Sequence, residues 1–181
     1  MPRRWNKGET LEQYKERMID PISESYCAAK WYNATIWLGH GQTASCHHPP
    51  GHWIPLEELK DNYTAIHNTK HKKLMRKYMQ EGKRPAECEY CWKVEDMGKG
   101  HVSDRTFKTE IFKDEDIHKS AEMPWDENVM LRTLEISFDR ACNFSCSYCN
   151  PAFSTAWVKD INTYGGYENI QSDGRGHFVD T

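Results

Sequence analysis

The sequence predicts an α/β fold, in which a β-hairpin and several helices are followed by one strand–helix unit. Two stretches of β-forming residues flank the turn Gly39-His40-Gly41, which is typical of a hairpin over residues 31 to 47. An apolar stripe at helical spacing, from Asn62 or Asn68 to Gln80, predicts the clearest helix of the chain. Alternation of apolar and polar residues predicts a strand over 131–138, and residues 154–161 predict the helix after it.

The composition is typical of a folded protein in water. Hydrophobic residues make up 38% and aromatic residues 12% of the chain, which supplies core material that disordered chains lack. The formal charge of −3 offers no polybasic surface, so a nucleic-acid partner is not expected. No apolar run approaches the roughly 20 residues that cross a bilayer, and no secretory signal is present at the N-terminus. We therefore expect a cytoplasmic protein with no membrane partner.

Three segments are expected along the chain. Residues 1–24 form an N-terminal arm with an amphipathic helix that ends at Asp20-Pro21. Residues 25–124 form a first domain that contains four of the seven cysteines. Residues 125–181 form a second domain with the other three. The charged stretch 99–128 is predicted as one helix followed by a linker.

Two segments are expected to lack regular structure. Residues 47–55 contain three prolines, which predicts a loop. The last 15 residues show neither the apolar spacing of a helix nor the alternation of a strand.

One group of cysteines lies in the loop that follows the predicted strand. Cys142, Cys146 and Cys149 have the spacing C-x3-C-x2-C. In a reducing compartment, cysteines at such short spacings are more often metal or redox ligands than disulfides. A cubane iron–sulfur cluster takes one thiolate per iron, so three cysteines leave the fourth iron open to a substrate or cofactor. A zinc site completed by a nearby Cys or His is the alternative.

The other group consists of Cys27, Cys46, Cys88 and Cys91. The predicted hairpin brings its strand ends together, and the C-x2-C pair can close over them. Four converging thiolates leave no metal position open, which predicts a structural or electron-carrying site. A zinc ribbon is the alternative for this group.

The three-cysteine loop resembles that of the radical S-adenosylmethionine (SAM) superfamily. An aromatic residue, Tyr148, precedes the last cysteine, and Asn143 and Pro151 also fit the family. The resemblance implies that the three cysteines hold a 4Fe–4S cluster whose open iron chelates SAM, with Tyr148 beside the adenine. It also implies an oxidoreductase or transferase in which reductive cleavage of SAM yields a 5′-deoxyadenosyl radical that abstracts hydrogen from substrate.

The spacing of the four-cysteine group, C-x13-G-x4-C and then C-x2-C, resembles the twitch domain, the shortened form of the SPASM domain. The residues Trp92, Glu95, Gly98, Ser103 and Arg105 are also typical of that group. The resemblance implies an auxiliary 4Fe–4S cluster on these four cysteines. It further implies a peptide or protein substrate and a reductant such as flavodoxin or ferredoxin.

The chain departs from the family pattern in its length. Only 32 residues follow Cys149, whereas a complete β/α barrel takes about 200 residues. The segment Gly165-Gly166-Tyr167-Glu168 is interpreted as a turn that ends a helix, not as the Gly-Gly-Glu segment of the family. We therefore expect the first unit of a partial barrel, as in the N-terminal part of a longer enzyme. A non-catalytic zinc or iron–sulfur binding module, or an inactive fragment, is the alternative.

Two further groups of residues are weighed. His40, His47, His48 and His52 surround the hairpin and the proline-rich segment, where they either ligate a metal beside Cys46 or are solvated loop residues, and the second interpretation is favoured. The helix before Gln80 carries a basic face that is expected to be solvated and not to contact RNA. It comprises Lys70, Lys72, Lys73, Arg76 and Lys77.

Overall fold

The computed structural model describes residue 6, residues 8–139, 141–151 and 153–166, and the backbone of residues 170–172 and 178–180. The chain contains helices and a small mixed sheet of four strands, which confirms the predicted α/β class. It divides into two compact units, Met1–Ile136 and Ser137–Thr181. The division lies within a strand, whereas the sequence predicted a second domain from residue 125.

The sheet of the first unit is built on the predicted hairpin. Its strands occur in the order β3-β2-β1-β4. Strands β1 and β2 pair antiparallel, with Thr35 opposite Ala44 and Trp37 opposite Gln42, which confirms the hairpin. Trp31 and Tyr32, which were predicted in its first strand, belong to the helix Ala29–Tyr32 instead. The strand bounds are β1 Asn33–Trp37, β2 Gln42–Ala44, β3 His52–Trp53 and β4 Thr133–Ser137.

The outer strands differ in direction. β3 pairs antiparallel with β2, with Thr43 opposite His52, so the proline-rich segment that was predicted as a loop contains a two-residue strand. β4 lies beside β1, where the amide of Arg132 donates to the carbonyl of Tyr32 at 2.8 Å. Thr35 donates to Glu135 further along both strands, so β4 runs parallel to β1. This parallel pair makes the sheet mixed.

Eight α-helices occur in the described part of the chain, and none of them is long and apolar enough to span a membrane. The charged stretch 99–128 forms two helices, where one helix and a linker were predicted. The helix bounds are α1 Leu11–Tyr14, α2 Ala29–Tyr32, α3 Leu56–Asp61, α4 Lys70–Gln80, α5 Glu89–Glu95, α6 Asp104–Glu110, α7 Asp114–Glu122 and α8 Thr155–Tyr164.

The expected N-terminal arm is part of the core of the first unit. Thr10 caps α1 through a reciprocal capping box with Gln13, and a π-helical turn, Lys15–Ile19, continues α1. Tyr14 and Ile19 are fully buried and pack in one cluster with residues of α2, α5 and α7. The apolar face of this segment is therefore covered by its own domain.

The basic face of α4 is only partly solvated, which corrects the expectation from the sequence. Lys72 and Arg76 are buried. Lys72 Nζ donates to the carbonyl of Asn33 at 2.6 Å, and Arg76 Nε donates to that of Lys30 at 3.0 Å. Arg76 also donates to Asn68 Oδ1 at 2.8 Å. These side chains satisfy backbone carbonyls at the end of α2, so they hold α4 against the start of the hairpin.

The second unit contains the three-cysteine loop and α8. Helix α8 ends at Gly165, whose φ of +87° favours glycine, which confirms the helix-ending turn at this point. Tyr167 and Glu168 lie outside the described residues. Strands β5 (Ile170–Ser172) and β6 (Phe178–Asp180) pair antiparallel where the sequence predicted no element.

Candidate metal centres

Four cysteines from three separate segments line one cavity of the first unit. Cys27 lies two residues before α2, and Cys46 lies two residues after β2. Cys88 ends the 3-10 turn that leads into α5, and Cys91 lies in the first turn of α5. The hairpin and the C-x2-C pair thus bring together the four residues that the sequence grouped.

The thiols of this group lie in a desolvated environment. Burial, and then the charges of the neighbouring Cys46, Cys88 and Cys91, raise the pKa of Cys27 to about 12. Burial likewise raises the pKa of Cys88 to about 11. The cysteines raise one another's pKa because their sulfur atoms share one desolvated cavity. A metal that binds here must displace protons, so its binding depends on pH.

A buried lysine provides a positive charge in the cavity. Lys30 is 2% exposed and forms an ion pair with Glu87. Burial alone would lower the pKa of Lys30, but Cys88 and Glu87 outweigh it and raise the pKa. Glu87 also contacts His71 Nε2 at 2.5 Å. Lys30 therefore stays charged and compensates the negative charge that thiolates acquire when they bind metal.

A second ion pair holds the wall of the cavity. Arg105 of α6 bonds to Glu95 of α5, and its Nη1 donates to the carbonyl of Tyr26 at 2.8 Å. Ser103 donates to the same carboxylate. Trp92 Nε1 donates to the carbonyl of Pro85 at 2.8 Å. The polar residues that follow the C-x2-C pair in the sequence thus join α5 and α6 around Cys91.

The three-cysteine loop of the second unit is held by the first turn of α8. The hydroxyl of Thr155 accepts from the amide of Cys142 at 3.1 Å and donates to its carbonyl at 3.0 Å. Trp157 Nε1 donates to the carbonyl of Cys146 at 3.0 Å. Ser154 caps the helix and donates to the carbonyl of Phe144 at 2.7 Å. The helix start therefore fixes the backbone of the loop at three positions.

Tyr148 lies on the outside of this loop and is 89% exposed. A hydrogen bond with Cys146 and the charges of Cys149 and Cys142 raise the pKa of its phenol. All three cysteines thus lie near one aromatic ring that is open to solvent. The cysteines themselves are partly exposed, unlike the buried Cys27, Cys88 and Cys91.

Zinc and an iron–sulfur cluster require different spacings between the thiols that bind them. A tetrahedral zinc ion with Zn–S bonds of about 2.3 Å holds its sulfur atoms roughly 3.8 Å apart. Among the described residues, no three cysteine sulfurs lie within 4.8 Å of one another. A cubane cluster takes its thiolates on separate iron atoms, which requires wider spacing. The four thiols that line one cavity are a donor set that suits a cluster, and the same donor set also suits a single zinc ion.

The four histidines around the hairpin do not converge on Cys46. His47 and His48 both approach Asp104, with Nε2–Oδ2 distances of 3.7 Å and 2.9 Å. His52 instead contacts the hydroxyl of Thr69 at 2.8 Å, and His40 is exposed.

Sequence reasoning missed three charged residues that line the four-cysteine cavity, namely Lys30, Asp104 and Lys108. A signal existed for Lys30, because it is the single charged residue in the apolar run Ala28–Tyr32. No local signal marks Asp104 or Lys108, since they reach the cavity only through the packing of α6.

Comparison with known proteins adds no relative: no family model, no curated protein and no solved structure matches the chain. The assignments below therefore depend on the residues and geometry of the chain itself.

Proposed function

We propose that the chain is an iron–sulfur protein of the radical SAM type. Cys142, Cys146 and Cys149 hold a 4Fe–4S cluster with one open iron for SAM, and the four-cysteine cavity holds an auxiliary 4Fe–4S cluster. When bound, the first cluster and SAM supply reductive cleavage to a 5′-deoxyadenosyl radical that takes hydrogen from a substrate. The proposed setting is the cytoplasm, with a peptide or protein substrate and a flavodoxin or ferredoxin as reductant.

The observation that carries this proposal is the contrast between the two cysteine groups. Four thiols line one cavity, three of them buried and that of Cys46 partly exposed, so a metal centre there has a full set of protein ligands. Three thiols lie in a partly exposed loop, so a cubane there has one iron without a protein ligand and open to solvent. The two arrangements suit different tasks, namely electron transfer or structural support for the first and binding of a cofactor for the second.

Residues of the loop have separate roles in the proposed cofactor site. Thr155 and Trp157 hold the loop backbone at Cys142 and Cys146 from the first turn of α8. The exposed ring of Tyr148 offers a flat surface for the adenine of SAM. The chain thus supplies orientation and a stacking surface, and the cofactor supplies the redox chemistry.

The surface of β4 supports the expectation that further strand–helix units complete the barrel. Leu134 and Ile136 are exposed although their alternation is that of a core-facing strand. Exposed apolar strand residues indicate a surface that another polypeptide segment covers. In a barrel of radical SAM type, such a face is covered by the surrounding helices or by side chains of the other strands.

The proposal is tested by anaerobic reconstitution with iron and sulfide, followed by iron, sulfide and zinc analysis. The wild-type chain is expected to bind about eight iron atoms. The triple variant Cys142→Ser/Cys146→Ser/Cys149→Ser is expected to keep about four, and so is the double variant Cys88→Ser/Cys91→Ser. The conservative variant Ser147→Ala, in the same loop, serves as the matched control and should match wild type.

Other outcomes would contradict the proposal. Stoichiometric zinc with little iron would favour a zinc-stapled binding module. About four iron atoms in the wild type, with none lost in the triple variant, would assign the chain to the non-catalytic iron–sulfur alternative. Circular dichroism of each variant shows whether a loss of iron reflects lost ligands or a lost fold.

A further inference from the structure

Two histidines and a carboxylate meet at the rim of the four-cysteine cavity. His47 Nε2, His48 Nε2 and a carboxylate oxygen of Asp104 all lie within 4.8 Å of one another. In the described part of the chain, they form the only group of three or more His, Cys, Asp or Glu ligand atoms this close together. We propose that His47, His48 and Asp104 form a binding site for one divalent transition-metal ion, separate from the two cysteine groups.

The distances suit a single ion. Metal–ligand bonds of about 2.0–2.2 Å to nitrogen and oxygen place neighbouring ligand atoms roughly 3–3.5 Å apart. The distances from Asp104 Oδ2 to His48 Nε2 and His47 Nε2 are 2.9 Å and 3.7 Å. Small side-chain rotations would therefore bring all three onto one ion, in exchange for the hydrogen bond between His48 and Asp104. Two imidazoles and a carboxylate are a ligand set for zinc or iron(II).

Two of the three ligands are held in place before a metal binds. The ring of His48 stacks on Tyr90 of α5, with centroids 3.9 Å apart and planes 14° apart. Asp104 is the first residue of α6, next to Arg105, whose bonds to Glu95 join α6 to α5. Fixed ligands reduce the entropy lost on binding.

His47, the third ligand, is open to solvent, and the charges around it do not repel a cation. The side chain of His47 is 58% exposed, so an ion can enter from solvent and keep open positions for water. Lys108 and Glu135 are further charged groups near His47, and their charges oppose each other. The carboxylate of Asp104 is then the charge that attracts a cation.

The test measures zinc binding to the full chain after iron reconstitution. The protein is dialysed anaerobically against zinc sulfate, and its zinc content is measured. The coordination shell of the zinc is then determined by X-ray absorption spectroscopy. Zinc at this site shows only nitrogen and oxygen neighbours at about 2.0–2.2 Å, whereas zinc at cysteines shows sulfur at about 2.3 Å. The measurement therefore distinguishes the two kinds of site whether or not the clusters assemble.

We expect about one zinc ion per chain with no sulfur neighbour. His47→Asn and Asp104→Asn should each weaken its binding at least tenfold, and His40→Asn, which changes an exposed histidine outside the group, should leave it unchanged. His47 is exposed, so its replacement does not disturb the core. No zinc beyond that at sulfur, or equal binding in His47→Asn and wild type, would overturn the proposal, while iron content reports on the cluster proposal independently.

Discussion

Arg105 and Glu95 form a buried ion pair with two parallel hydrogen bonds, from Nε to Oε1 at 2.6 Å and from Nη2 to Oε2 at 2.9 Å. Their side chains are 2% and 8% exposed. Burial alone would raise the pKa of Glu95, but the bonds from Arg105 lower it below its usual value. The pair joins α5, which carries Cys91, to α6, which carries Asp104. Both candidate metal sites of the first unit therefore depend on it.

Arg105→Met should reduce the free energy of unfolding by about 3 kcal/mol, because it leaves the buried carboxylate of Glu95 without its two bonds from Arg105 and only with Ser103 and the more distant Lys15. The measurement is urea unfolding of the variant and the wild type. The matched control is Arg84→Met, which breaks an exposed ion pair with Asp96 at the end of α5. This change should cost at most about 1 kcal/mol. Equal losses in the two variants would show that burial does not strengthen the Arg105 pair.

Stability should fall between pH 6.5 and pH 4 because of His52. Burial, and then the charge of His71, lower the pKa of His52 from 6.5 to about 4. In this window the unfolded chain binds a proton at this residue and the folded chain does not, so the free energy of unfolding decreases as the pH falls. The full effect is on the order of 2–3 kcal/mol.

This pH effect is measured by urea unfolding from pH 7 down to pH 4.5. His52→Gln should show a shallower decline than wild type, because the titrating group is gone. His118→Gln replaces an exposed histidine of α7 and should retain the wild-type slope. An unchanged slope in His52→Gln would assign the acid sensitivity to other groups.

Lys30→Met should lower the reduction potential of the auxiliary cluster, if the four-cysteine cavity holds one. A nearby positive charge stabilises the more negative reduced state, and one charge at an effective dielectric constant of about 20 accounts for a shift on the order of 50–100 mV. The potential is measured by a redox titration followed by EPR. Lys93→Met, which removes an exposed lysine of α5, is the control.

A second variant distinguishes an electrostatic effect of Lys30 on the reduction potential from a structural one. Lys30→Met/Glu87→Gln removes both members of the buried ion pair and should return the potential toward the wild-type value. If the double variant keeps the low potential of Lys30→Met, the effect of Lys30 is structural and not electrostatic.

Thr155→Val should impair the three-cysteine loop, because its hydroxyl makes both hydrogen bonds to the backbone of Cys142. Iron after reconstitution is expected to fall from about eight to between about four and six atoms per chain, with the loss confined to the second unit. Thr163→Val on the same helix removes one exposed hydrogen bond to Lys159 and should keep the wild-type iron content. A normal iron content in Thr155→Val would mean that the loop is held by Trp157 and Ser154 alone.

The local elements of the fold could be predicted from the sequence because their signals are local. β-Forming residues on both sides of Gly39-His40-Gly41 predicted the hairpin, and an apolar stripe with Gly82 after it predicted α4. The burial of Lys72 and Arg76 could not be predicted in this way. A basic residue on a helix is solvated or bonded to a carbonyl depending on which element packs against that position. Here the end of α2 packs against Lys72 and Arg76 and supplies the carbonyls.

In the candidate sites, too, local features could be predicted from the sequence and long-range contacts could not. The spacing of the cysteines was sufficient to group them, and the cavity brings together the four that were grouped. Asp104 lies 56 residues from His48 and meets it through the packing of α6, to which the Arg105 ion pair contributes. A contact between residues so far apart in the chain leaves no pattern in a single sequence.

The measurement that tests the central claim most directly is EPR of the reduced, reconstituted protein before and after addition of SAM. The account predicts a cluster signal that SAM changes in the wild type and in Cys88→Ser/Cys91→Ser, but not in Cys146→Ser, because SAM binds only at the open iron of the three-cysteine loop. A signal that SAM leaves unchanged in the iron-loaded wild type would contradict the claim that this loop presents an open iron to SAM.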